Sequence, residues 1–256
     1  MSTGDAILGW LRVWGRAARF AGFALAGACA PATYGRETRE VALKQIYFTA
    51  CQVLPGFTLF TALFSLVVIE ITVSAAREFG LSQHALELVF RALLVELIPL
   101  LTALLVALRS GAAISSEIAL MRVSGEFEAM AERGEDPLAQ ELVPRVAAAA
   151  LSVVALTVVS CMVAFIMTYL AMYGFSPWGL ADYAQVVALV FGPAVMIGFA
   201  LKCVLFGTAV AVIPIAAGLD ATRHVKSVPV AVLGGMVRLF FTLGLIEVLS
   251  LAVTYV

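Results

Sequence analysis

Five stretches of this chain are apolar over the length of a bilayer, which limits its fold to a bundle of membrane-spanning helices. They cover residues 45–69, about 88–108, 146–173, about 183–216 and 228–255. A helix needs about 20 apolar residues to cross the hydrocarbon layer, and only helices and closed barrels satisfy their backbone polar groups there. The first and third stretches carry no charge. The second holds Arg91 and Glu96, the fourth Lys202, and the fifth Arg238 and Glu247. The fourth, with Pro193 and Pro214, is too long for one straight crossing and too short for two, so it reads as one long or broken helix. Pro55-Gly56 is expected to kink the first.

Composition supports the same class. Apolar residues make up 62% of the chain and charged ones 13%, whereas a soluble domain carries about 25% charged. A net charge of −1 argues against nucleic acid as a partner. Cys29, Cys51, Cys161 and Cys203 show no CxxC or Cys/His spacing. They read as small apolar residues, and no metal site is expected. The early residues hold Asp5, two Trp and three Arg rather than a signal-peptide core. Within residues 5–29, Arg12, Arg16 and Arg19 share one helical face opposite Trp10, Trp14, Phe20 and Phe23. That pattern suits an amphipathic helix in the membrane interface, or one packed on the protein itself. Pro31–Lys44 reads as a polar connector.

With five crossings the two ends lie on opposite sides, and basic residues set the orientation. An N-terminus inside the cell puts twelve of the sixteen Lys and Arg on the cytoplasmic side, including Lys44, Arg109, Arg122, Arg133, Arg145 and Lys226. Only Arg77 and Arg91 then lie outside. No two glycines stand four apart, so the GxxxG signal for helix pairing is absent. The chain has no GxxxxGK[ST] loop, no GxSxG elbow and no HExxH. It therefore reads as a non-enzyme that must draw energy from elsewhere.

Between the second and third spans, residues 109–145 form a patterned polar connection. Ile114, Ile118 and Met121 recur at i, i+4, i+7, and Glu126, Glu128, Glu132, Glu135 and Asp136 follow as an acidic face. This has the look of a docking element on the membrane surface, where the apolar stripe fits a partner's groove. The rival reading is that the same stripe packs against the chain itself.

The block Glu96–Arg145 resembles the MlaE/YrbE family of ABC-transporter permeases, the membrane subunits of MCE-protein lipid transporters. The likeness rests on Glu96-Leu97-Ile98-Pro99, Thr102-Ala103-Leu104-Leu105, Ala107 to Ala113, Ser116 to Met121, Glu128-Ala129-Met130, Asp136-Pro137 and Pro144-Arg145. Their order and spacing are kept across fifty residues, with weaker likeness over about 40–255. Val95, Ile98 and Leu108 depart from the family's usual basic, glycine and glycine residues.

The resemblance implies one MlaE-type permease domain over residues 1–256, with a transmembrane region at 45–255 and a cytoplasmic coupling loop at 109–145. It implies a bacterial inner-membrane protein with a cytoplasmic N-terminus, working as a homodimer. The partners would be a cytoplasmic ABC ATPase, which binds ATP and Mg, and a periplasmic MCE-domain protein. The cargo would be phospholipid or a related lipid, and this chain itself would hold no cofactor. Arg109, Gly111, Ile114, Glu117, Ile118, Met121 and Arg122 would couple it to the ATPase.

The implied lipid cavity lies at the dimer centre between first and last spans. Its candidate residues are Leu54, Phe57, Phe60, Leu63, Phe64, Glu96, Leu239, Phe240 and Leu243, which suit ordinary packing equally well. Charges inside spans must face protein or water. Glu96 is either a polar element of that cavity or half of a buried pair. Lys202 and Arg238 are expected to pair with Glu247 or Glu96. Two other functions stay open: an ion-coupled secondary transporter using these charges, and a non-transporting membrane scaffold.

Overall fold

The computed structural model describes Gly15, Arg19, Phe20, Gly22, Phe23, Gly27, residues 36–222 and residues 224–255. The interfacial helix expected at 5–29 lies largely outside the described residues. Five long helices form the bundle: α1 (Thr38–Glu78), α2 (Ser82–Ser124), α4 (Leu138–Tyr173), α6 (Pro193–Leu219) and α7 (Val225–Thr254). Two short helices, α3 (Glu126–Glu132) and α5 (Leu180–Val190), sit at opposite ends. No strand occurs among the described residues, and the chain is an all-α, multi-pass integral membrane protein.

The long helices alternate in direction. A tight turn at Gly80, with φ of 71°, joins α1 to α2. At the other end of α2, Arg109 Nη2 donates to Gln52 Oε1 of α1 across 3.2 Å. That end, where Lys44, Arg122, Arg133, Arg145 and Lys226 also gather, is called the basic end below.

Two sequence expectations change here, and a third, which left a long or a broken helix open, is resolved. The polar connector is helical from Arg36 onward and runs into the first span. The 109–145 connection is no separate surface element either: α2 continues unbroken through it to Ser124, where Gly125 at φ 77° turns the chain into α3. The fourth stretch is broken, with Gly192 separating α5 from α6 and Pro193 opening α6 where its missing N–H costs nothing. The first span is interrupted at Gln52-Val53, just ahead of Pro55, as its Pro-Gly pair predicts.

Lipid tails are as apolar as leucine, so burying apolar area does little to hold such helices together; close packing does. Gly207 of α6 lies against the backbone of Ala150, where a Cβ would come within 2.8 Å of the carbonyl oxygen. Gly218 lies equally close to Ser115 and Ile118 of α2, and Gly235 of α7 meets Ala217. Along α4, Ala148, Ser152, Ser160, Ala164 and Thr168 form a buried small-residue face. The hydroxyls of Ser152, Ser160 and Thr168 bond carbonyls four residues back at 2.7–2.8 Å, so no polar group there is left orphaned.

Apolar cores stack along the axis. At the basic end Ile114, Ile118, Met121, Leu142 and Ile215 pack together. Phe57, Leu156, Phe206, Leu239 and Leu243 fill the middle. At the far end Phe90, Phe165, Tyr183 and Phe191 stack at centroid distances of 5.2–6.0 Å, fastening α5 to the bundle.

Candidate functional site

Inside the bundle, three charged side chains from three helices meet. Lys202 of α6 forms ion pairs with Glu96 of α2 and, at 3.2 Å, with Glu247 of α7. Lys202 is 3% exposed and each glutamate 9%. Local structure explains the meeting point. Pro99 has no N–H to give the carbonyl of Val95 four residues earlier, and the backbone of Phe90–Leu97 takes a π-helical turn. The Lys202 ammonium lies 3.4 Å from that Val95 oxygen. Lys202 stands nine residues into α6, about 14 Å from its far end.

A charge at bilayer depth costs several kcal/mol unless paired. One ammonium here faces two carboxylates, and Glu96 Oε1 has no hydrogen-bond donor among the described residues. Beside Lys202 a groove of about 190 Å³ runs between α6 and α7, walled by Leu201, Leu205, Ile246, Leu249 and Val253. Apolar walls leading to a buried ion cluster suit an amphiphile with a polar head.

The expected partners of Arg238 are corrected. It reaches Asp220 at 3.6 Å and donates to the Gly234 carbonyl at 3.1 Å, away from Glu96 and Glu247. Its long side chain extends toward the basic end, as such residues do near membrane boundaries. Because this pair is partly solvated, Arg238→Gln should cost about 1 kcal/mol or less in unfolding measurements. A loss as large as that from removing Lys202 would contradict the assignment.

The cavity candidates do not enclose one cavity within a single chain. Phe57, Leu239 and Leu243 are sealed in the middle core, with Phe240 packed against it. Leu54, Phe60 and Leu63 lie exposed on the outside of α1, and Phe64 joins the far-end core. The groove residues on α6, apart from Lys202, were missed because long apolar runs carry no face signal.

At the basic end the structure turns the Ile114, Ile118 and Met121 stripe inward, 4%, 0% and 8% exposed, against α4 and α6. The docking role expected of that stripe is corrected, since it packs on the chain itself. Gly111 is buried too, its Cα facing Pro214. The face left outward carries Ala113, Ser116, Glu117 and Leu120. Glu117 pairs with Arg145 at 3.2 Å and Arg145 with Glu141 at 2.9 Å. Arg122, expected among the residues that couple to the ATPase, pairs with Glu128 at 3.3 Å. Arg109 is exposed.

Five bilayer-length helices closed around a buried ion cluster, with a polar helix end projecting from one side, define a multi-pass helical membrane protein with a charged site inside it. The sequence model described as Permease MlaE matches residues 42–253, and the chain belongs to that permease family. It is 30% identical to the chloroplastic protein Trigalactosyldiacylglycerol 1 of Arabidopsis thaliana over 68% of this chain, and spans about half (50%) of that protein's length. A probable ABC transporter permease protein of Synechocystis is 29% identical over 76% of this chain and 74% of its own. Another, from Rickettsia prowazekii, is 25% identical over 73% and 72%.

Proposed function

We propose that the chain is the permease subunit of an ATP-driven ABC transporter that moves phospholipid or a related lipid between the bacterial inner membrane and a periplasmic MCE-domain protein. The observation that carries this reading is the family match over residues 42–253, nearly the whole membrane region. Two relatives are named as probable ABC transporter permeases, and a third bears the name of a galactolipid. A cytoplasmic ATPase would hold ATP and Mg and press on the outward face of α2 around Glu117. The basic end is then cytoplasmic, following the excess of Lys and Arg there. A groove of about 190 Å³ is smaller than the ~300–1,000 Å³ of ordinary ligand pockets. A whole lipid therefore needs a second copy of the chain to complete its cavity.

A tagged chain purified from its own membranes is expected to bring down a nucleotide-hydrolysing subunit and an MCE-domain protein. Glu117→Lys should lower ATPase recovery by roughly tenfold, because a reversed charge at a docking surface repels its partner. Full recovery would remove Glu117 from the contact. An ion-coupled carrier would also use the Glu96–Lys202–Glu247 cluster, but it would work as a complex lacking any ATPase. The same purification separates the two readings.

A further inference from the structure

A second cavity, of about 480 Å³, opens at the basic end between α1, α2 and α4. Three basic and two acidic side chains line it: Lys44, Arg109, Arg145, Glu117 and Glu141. Arg145 holds both glutamates, at 3.2 and 2.9 Å. Lys44 and Arg109 form no ion pair of their own, Lys44 reaching Glu141 only through its longer-range field. Among the described residues neither has a carboxylate within 4.0 Å, and Arg109 bonds only the neutral amide of Gln52. One surplus positive charge faces the cavity, presented from two different helices.

The cavity walls change character toward the bilayer. Phe48 lines the cavity one helical turn from Lys44, on the same face of α1. It is 49% exposed, and beyond it Leu54 and Leu108 are also exposed. Cations at the mouth of a membrane helix pair, followed by uncovered apolar side chains on the bilayer side, match a molecule with an anionic head and hydrocarbon tails. An acidic segment of a soluble partner would satisfy only the cations.

We propose that this cavity binds the phosphate head of an anionic glycerophospholipid from the leaflet at the basic end. Arg109 and Lys44 donate to the phosphate oxygens, the guanidinium suiting them through its fork of donors. The acyl chains lie along Phe48 and Leu54. The site stands about 20 Å along α2 from Glu96 and does not depend on the cargo proposed above, since a lipid can be held here whether or not it is moved.

Native mass spectrometry of the full chain released from micelles tests it, with added phosphatidylglycerol, phosphatidylcholine or glycerol 3-phosphate. Phosphatidylglycerol is expected to bind the natural chain about tenfold more tightly than the Lys44→Gln/Arg109→Gln chain. Ala113→Phe keeps both cations but fills the cavity and should lower binding similarly. That variant decides the matter alone if the doubly substituted chain aggregates. Equal phosphatidylglycerol binding by the natural and altered chains would overturn the proposal, as would equal affinity for phosphatidylcholine. Displacement of the lipid by equimolar glycerol 3-phosphate would assign the cavity to a soluble phosphate instead. Loss of ATPase recovery with unchanged lipid binding would make it a protein contact.

Discussion

Lys202→Met should cost the folded chain about 3–5 kcal/mol, the penalty for leaving buried charge uncompensated. The substitution keeps the side chain's length and apolar stem, so packing on α6 changes little. What it removes is the only ammonium among the described residues between Glu96 and Glu247, both 9% exposed. Thermal unfolding in nanodiscs would register the loss as a large drop in midpoint. Adding Glu96→Gln and Glu247→Gln to the same chain should recover most of it, because no unpaired charge then remains. Wild-type stability in the single variant would mean that the three groups are not coupled. Stability that stays low in the triple variant would place the loss in packing rather than charge.

The second large effect is steric. Gly218→Leu puts a Cβ within 2.7 Å of the Ser115 carbonyl oxygen and 2.8 Å of the Ile118 Cβ. Neither a backbone oxygen nor a branched Cβ moves cheaply, so α6 and α2 must separate. Overpacking costs about 1–3 kcal/mol, and here it also pulls apart the helix that carries Glu117 from its main support. Gly244→Leu on α7 is the control, since nothing lies within 4 Å of the added carbon; its stability change should stay within about 0.5 kcal/mol. Equal unfolding midpoints for the two variants would show that the close approach of α2 and α6 contributes nothing.

The number of crossings was legible because hydropathy over some twenty residues is a local property. Helix ends were not, since polar residues such as Arg39 and Ser116 stay helical beyond the bilayer, where neighbours support them. The fourth stretch showed the limit. Its length allowed a long helix or a broken one, and only the tertiary fold places a break at Gly192 and turns residues 180–190 back onto Phe90. Periodicity correctly put Ile114, Ile118 and Met121 on one face of a helix. It carries no information about which neighbour covers that face, and α4 and α6 cover it.

The charged site was half legible. That Glu96, Lys202 and Glu247 required partners followed from the cost of charge in lipid. That Lys202 takes both glutamates while Arg238 reaches Asp220 depends on relative depth and side-chain reach, which one-dimensional order does not record. Helix pairing was hidden for a related reason. Gly207 meets Ala150 and Gly218 meets Ser115, single small residues matched across helices rather than glycines repeated along one.

The unbroken course of α2 has a mechanical consequence. Over 43 residues it is a rod of about 64 Å, and Glu117 and Glu96 stand on the same rod, about 31 Å apart along its axis. A torque applied at one needs no chain of rearranging side chains to be felt at the other. The π-helical turns at Ala107–Gly111 and Phe90–Leu97 are wider turns within that same continuous helix.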